Sequence, residues 1–185
     1  MSEVWAALLR PLEGTPGDDR VTEAVQAYRA HYARTGRRMN TVFPGIPGAL
    51  SALRDAGVRL LVATAKPGDI GALIVRELGL GEWVSATYGS VPGGALDQKA
   101  DLFAHILRVE GLDPGHTVVA GDWRYDMAGA RANGLAGLGA GWGYDTPEAL
   151  LASGAEAVIP APGALPAAVA ALLRRARPSP QPAPP

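Results

Sequence analysis

The chain has 185 residues, 48% of them hydrophobic, and a formal charge of −1 from 17 basic and 18 acidic side chains. That length suits one domain with a small appendage and is enough to bury a core, while the near balance of charge leaves no electrostatic footprint for nucleic acid or an anionic membrane. Cysteine is absent, which removes disulfide and thiolate chemistry, and no apolar run approaches the roughly 18 residues that would suggest a membrane span.

Residues 1–12 lack a basic stretch followed by an apolar one, so no signal peptide is expected and a cytoplasmic location fits. In chain order, 3–9 is short, apolar and helix-like, and 11–19 (PLEGTPGDD) is turn chemistry. Over 20–34, Val21, Ala24, Val25 and Tyr28 recur at helical spacing, giving an amphipathic helix. A helix over 46–56 is closed by Gly57. Residues 58–64 (VRLLVAT) form a short apolar, β-branched run that reads as a buried strand. Pro67 and Gly68 open a helix to about residue 78. Further strands are expected near 84–88, 116–121, 134–139 and 156–159, with helices over 98–109 and 125–132, the latter stopped by Asn133-Gly134. This alternation predicts an open, mainly parallel α/β sheet with helices on both faces. The tail, 174–185 (RRARPSPQPAPP), reads as a disordered Pro-rich end.

In such a sheet, ligands bind beyond the carboxyl ends of the strands. Thr64 ends the first strand, where its hydroxyl and the following helix amides suit a phosphate oxygen; a threonine there serves equally as a cap or turn residue. Lys99 stands in the first turn of a helix, against the macrodipole, yet a solvated surface lysine is the ordinary reading. Asp122 and Asp126 follow an apolar strand as GDxxxD. Paired carboxylates are costly unless a cation neutralises them, and oxygen ligands of this kind suit Mg²⁺; the plain alternative is that Asp122 caps the helix and Asp126 is solvated.

Taken in order, these pieces resemble motifs two, three and four of the haloacid-dehalogenase-like superfamily, most closely its phosphoglycolate-phosphatase-like branch. The matching strings are Val42-Phe43-Pro44-Gly45-Ile46, Val62-Ala63-Thr64-Ala65-Lys66-Pro67, Lys99, Gly121-Asp122 through Asp126 to Gly129-Ala130-Arg131-Ala132-Asn133-Gly134, and Trp142-Gly143-Tyr144. The likeness runs from about residue 20 to 175. It implies a Rossmann-like α/β core over 41–173, with part of a helical cap over 1–40, and a Mg²⁺-dependent phosphatase of small phosphorylated metabolites working through an aspartyl-phosphate. Thr64 would bond the transferring phosphoryl group and Lys99 would neutralise it. Asp122 would ligate Mg²⁺, and Asp126 would support the metal and steady Lys99. Trp123 and Arg124 occupy positions that vary in the family and read as packing or cap contacts. Lys66 reads as solvated.

The family's first motif, DxDGT on the first strand, supplies the nucleophile and the general acid–base, and it has no recognisable counterpart. The nearest string, Pro11-Leu12-Glu13-Gly14-Thr15, puts proline at the nucleophile's place. Tyr28 through Tyr32 to Thr35-Gly36 matches the cap string YxxxYxxTG instead, so the sequence reads as starting inside the cap with the first strand missing. Two neighbouring strands would then keep unpaired edges, which favours self-association. Two other readings stand beside the phosphatase: a catalytically dead binding or interaction protein on the same scaffold, and a dehalogenase or phosphomutase of the same superfamily. Dehalogenation needs no Mg²⁺, so the GDxxxD carboxylates weigh against it. No GxGxxG or P-loop string is present.

Overall fold

A computed structural model describes residues 23, 24, 26–28, 31, 32, 35–91, 94 and 96–175. The expected turn at 11–19, the Pro11–Thr15 string, most of the first helix and the tail beyond 175 lie outside the described residues. The chain divides into two compact units, Met1–Thr41 and Val42–Pro185. In the first, the rings of Tyr28 and Tyr32 stack with centroids 6.1 Å apart, and a 3-10 turn follows at Gly36–Met39. Gly36 presses on the Tyr32 ring, where a Cβ would sit 2.6 Å from Cδ2.

The second unit is the parallel α/β layer structure expected. Its elements are α1 (Ile46–Asp55), β1 (Leu60–Pro67), α2 (Gly68–Glu77), β2 (Val84–Ser90), α3 (Lys99–Glu110), β3 (Val118–Gly121), α4 (Arg124–Ala132), β4 (Ala136–Ala140), α5 (Pro147–Ala152), β5 (Ala157–Ile159) and α6 (Leu165–Arg174). Among the described residues all strand pairings are parallel, and they fall into two pieces, β1–β2 and β3–β4–β5. Both pieces lie between the same helices. On one face, Leu60 and Val118 join Leu138 and Ile159 against Ala49 and Leu53 of α1 and Leu165, Val169 and Leu172 of α6. On the other, Leu61, Ala63, Tyr88 and Val119 meet Leu102, Phe103 and Ile106 of α3. The two-residue alternation of a strand sends Leu60 to one face and Leu61 and Ala63 to the other. Among the described residues, β1 and β3 each have one edge without a partner strand, and both strands pack under α3. No helix among the described residues is long and apolar enough to cross a membrane.

Several expected boundaries move, for one recurring reason. The first strand begins at Leu60 rather than 58, because the Val58 amide is bonded to the Leu53 carbonyl at 3.0 Å while Gly57, at φ 78°, closes α1. This is a Schellman ending, and it consumes the residue after the glycine. The same ending at Gly134, with Leu135 N bonded to Ala130 O at 2.9 Å, delays β4 to Ala136. The third strand begins at Val118 rather than 116, since Pro114–His116 is a 3-10 turn capped by Asp113. β1 also runs past Thr64 to Pro67: Gly89 opposite leaves room for the Lys66 carbonyl, which would lie 2.2 Å from a Cβ there. Helices α5 and α6 were not expected from the sequence.

Candidate functional site

Thr64 stands in β1, Asp122 follows β3, and Lys99 and Asp126 stand in the first turns of α3 and α4. Thr64 ends the regular pairing of β1 with β2, opposite Gly89. Its Oγ1 accepts a bond from the Lys66 amide at 3.2 Å, which orients the hydroxyl and leaves its hydrogen free to donate. α2 sits close because Gly71 offers no Cβ to the Thr64 methyl, 2.8 Å from where one would stand.

Lys99 is the first residue of α3, with its side chain only 11% exposed. Nζ donates to the Ala63 carbonyl of β1 at 3.0 Å and pairs with Asp126 Oδ1 at 2.8 Å. One lysine thus ties β1 to the first turn of α4. Burying an ammonium beside a helix N-terminus is unfavourable unless acceptors surround it, and a carbonyl and a carboxylate do so here. The Phe103 ring lies 5.7 Å from Nζ. Close approach of α3 and α4 depends on Gly129, where a Cβ would stand 2.9 Å from Lys99 Cβ and 3.0 Å from its carbonyl carbon. Asn133 completes the contact, its amide nitrogen bonding both Ala100 O and Gly129 O at 2.9 Å.

Asp126 is buried in the first turn of α4, over Gly121, where a Cβ would lie 2.8 Å from the Asp126 carboxylate. Asp122 leads out of β3. It does not cap α4: its Oδ2 accepts from the Tyr144 amide at 3.1 Å and its carbonyl from the Asp145 amide at 3.0 Å. Gly143 makes room for this, since a Cβ there would lie 2.1 Å from Asp122 Cβ. Oδ1 of Asp122 has no hydrogen bond among the described residues.

The residue that caps α4 is Asp145, buried at the end of the loop after β4. It takes the Arg124 amide at 2.7 Å and grips the Arg124 guanidinium through Nε at 3.1 Å and Nη2 at 2.5 Å. That grip holds the Asp145 carboxyl below the usual carboxylate range and raises Arg124 above its own. The sequence brings Thr64, Lys99, Asp122 and Asp126 to notice through their order. It does not reveal the Arg124–Asp145 clamp, whose members are far apart in the chain; the only local signal is Asp145 preceding Thr146-Pro147, and that suggests a cap for α5. Among the described residues, no group of three or more His, Cys, Asp or Glu forms a ready metal cage. The arrangement offers instead a buried cation, an oriented hydroxyl and a carboxylate with one open oxygen, which suits an anionic ligand that brings further oxygen donors.

Comparison with known proteins bears on the family of the chain. A family model described as haloacid dehalogenase-like hydrolase matches residues 2–134. A 5'-nucleotidase of Pseudomonas aeruginosa is 40% identical over 133 residues, covering 72% of this chain and 60% of that protein. A phosphoglycolate phosphatase of Cupriavidus necator is 32% identical, covering 79% of this chain and 63% of that protein. The chain thus spans about three-fifths of the length of these relatives. Among solved structures, a haloacid dehalogenase-like family hydrolase from Streptococcus pneumoniae superposes with a TM-score of 0.72 at 28% identity, covering 80% of this chain and 69% of that one.

Proposed function

Since the chain belongs to the haloacid dehalogenase-like hydrolases, we propose that its site serves Mg²⁺-dependent hydrolysis of phosphate monoesters of small metabolites. The observation that carries this reading is Lys99, buried and fixed between Ala63 O and Asp126 Oδ1 at 3.0 and 2.8 Å. An ammonium has three hydrogens, and two are committed, so the third is left for an anion beyond the strand ends. In this reading Lys99 neutralises the phosphoryl group and Thr64 donates its hydroxyl to one of its oxygens. Asp122 supplies a direct oxygen ligand through its open Oδ1. Asp126 is taken up by Lys99, so its work is to hold that ammonium and to support the metal through water. The donors are all oxygen and few, which fits Mg²⁺ completed by water and substrate phosphate. When bound, the ion withdraws charge from the phosphoryl oxygens.

None of the four side chains is the attacking group in this scheme. A parallel strand seated between β1 and β3 would deliver its carboxyl end beside Thr64 and Asp122, and an aspartate there would attack phosphorus, expel the alcohol and form an acyl phosphate that water then hydrolyses. The names of the relatives point to phosphoglycolate and nucleotides as substrates to try first. A second reading, a phosphate-binding protein without turnover, is favoured by one observation: the string nearest to the first motif, Pro11-Leu12-Glu13-Gly14-Thr15, has proline at the nucleophile's place.

Hydrolysis of p-nitrophenyl phosphate by the purified 185-residue chain, with Mg²⁺ and with EDTA, tests the first reading against the second. Mg²⁺-dependent turnover that disappears in Asp122→Ala supports the hydrolase. A folded chain that binds phosphate without turnover decides for the binding protein. Turnover retained by both Asp122→Ala and Lys99→Ala counts against the site itself.

A further inference from the structure

Three aromatic side chains stand in water beside Asp122. Trp123 is 37% exposed, Tyr125 52% and Tyr144 82%. They form a row with Trp123 in the middle, edge-on to Tyr125 at 4.6 Å between centroids and to Tyr144 at 6.3 Å. Aromatic rings bring large apolar area with them, and a clustered exposed patch of them marks a binding surface more often than an isolated exposed residue does.

The backbone that carries the row is tied down. Arg124 lies between Trp123 and Tyr125, Asp145 follows Tyr144, and these two residues are the clamp that joins the loops after β3 and β4. The Tyr144 amide is itself bonded to Asp122 Oδ2. The charge of Arg124 is matched by Asp145, so the row presents neutral rings. It begins one residue after Asp122, and consecutive Cα atoms lie about 3.8 Å apart. A neutral cluster of exposed rings on a tied-down backbone therefore adjoins the carboxylate read as the metal ligand.

We propose that Trp123, Tyr125 and Tyr144 form a stacking platform for the base of a nucleoside monophosphate whose phosphate lies at Thr64, Lys99 and Asp122. This rests on the phosphate reading of the site and names its substrate class. Every nucleobase has a π-face that stacks on such rings. The sugar joins that base to the phosphate and spans the interval between platform and charged site. A small phosphorylated acid would use the charged residues and leave the rings idle.

Isothermal titration of the full 185-residue chain in Mg²⁺ with adenosine 5′-monophosphate and with ribose 5-phosphate separates the two sites. The nucleotide is expected to bind about ten-fold or more tightly than the sugar phosphate, the gain typical of one stacked base. In Trp123→Ala, and separately in Tyr144→Ala, that ratio falls towards one, with thermal melts verifying that each variant is folded. Equal affinities in the parent chain, or a ratio unmoved in both variants, overturn the platform while leaving the phosphate site standing. If neither ligand binds, the phosphate reading fails and the platform proposal with it.

Discussion

The two pieces of sheet are built by opposite means. β1 and β2 are long, at 8 and 7 residues, and β1 is strongly apolar over Leu60–Ala63, yet no residue of β1 is fully buried. β4 has only 5 residues, two of them glycine, and four of the five are buried. The difference lies in neighbours. β4 has a strand on each side, and Gly137 and Gly139 admit Met127, Leu150 and Val158 to within 2.8–3.1 Å of where a Cβ would stand. Among the described residues, β1 has a partner strand on one side alone. Burial here follows the number of neighbouring elements and not the hydrophobicity of the strand.

The largest effect expected from this contrast is at Leu138, which is 0% exposed. Leu138→Ala should cost about 2–5 kcal/mol, the usual range for a buried leucine, measured by urea unfolding. Leu61→Ala, in the half-buried β1, should cost clearly less. Equal losses would show that both pieces are equally enclosed in solution and would break the comparison.

Gly129→Ala tests the helix contact that spans the pieces. The added methyl meets Lys99 Cβ at 2.9 Å and backbone at 3.0 Å, so α3 and α4 must part, at roughly 1–3 kcal/mol for overpacking. Phosphate affinity should fall as well, because Lys99 and Asp126 separate. A variant that loses stability but keeps its phosphate affinity would detach the site from this contact.

The smallest effect is a dependence on acid. Arg124 holds the folded Asp145 carboxyl below its ordinary value. The clamp's contribution is thus complete above the unfolded carboxylate pKa of about 3.9 and is lost as pH falls through the lower folded value. The near-ultraviolet circular dichroism of the Trp123–Tyr144 row should persist down to about pH 4 and fade only in stronger acid. Asp145→Asn should remove that acid transition. A transition unchanged in the variant would assign it to another carboxylate.

The fold class was legible because periodicity is local: a four-residue apolar run such as Leu60–Ala63 needs no partner to be read. The candidate site residues Thr64, Lys99, Asp122 and Asp126 stood out because each lies at a readable strand end or in the first turn of a readable helix. Boundaries were less so. Val58 and Leu135 look like strand residues, and only the helix-ending bonds to Leu53 and Ala130 withhold them. The passage of β1 through Lys66 depends on Gly89 in another strand. α5 and α6 did carry local signals, Thr146-Pro147 for one and the spacing of Leu165, Val169 and Leu172 for the other. The Arg124–Asp145 clamp carried none, since its chemistry exists only once two loops have met.

Asn133 has a mechanical consequence. By bonding the carbonyls of Ala100 and Gly129 with one amide group, it makes the start of α3 and the end of α4 a single stiff joint. Thermal breathing that moves β1 relative to β3 would carry this joint as a body. The spacing of Lys99 and Asp126 would then hold steady while the walls around it fluctuate, and amide hydrogens along α3 and α4 would exchange with solvent together, in one kinetic class.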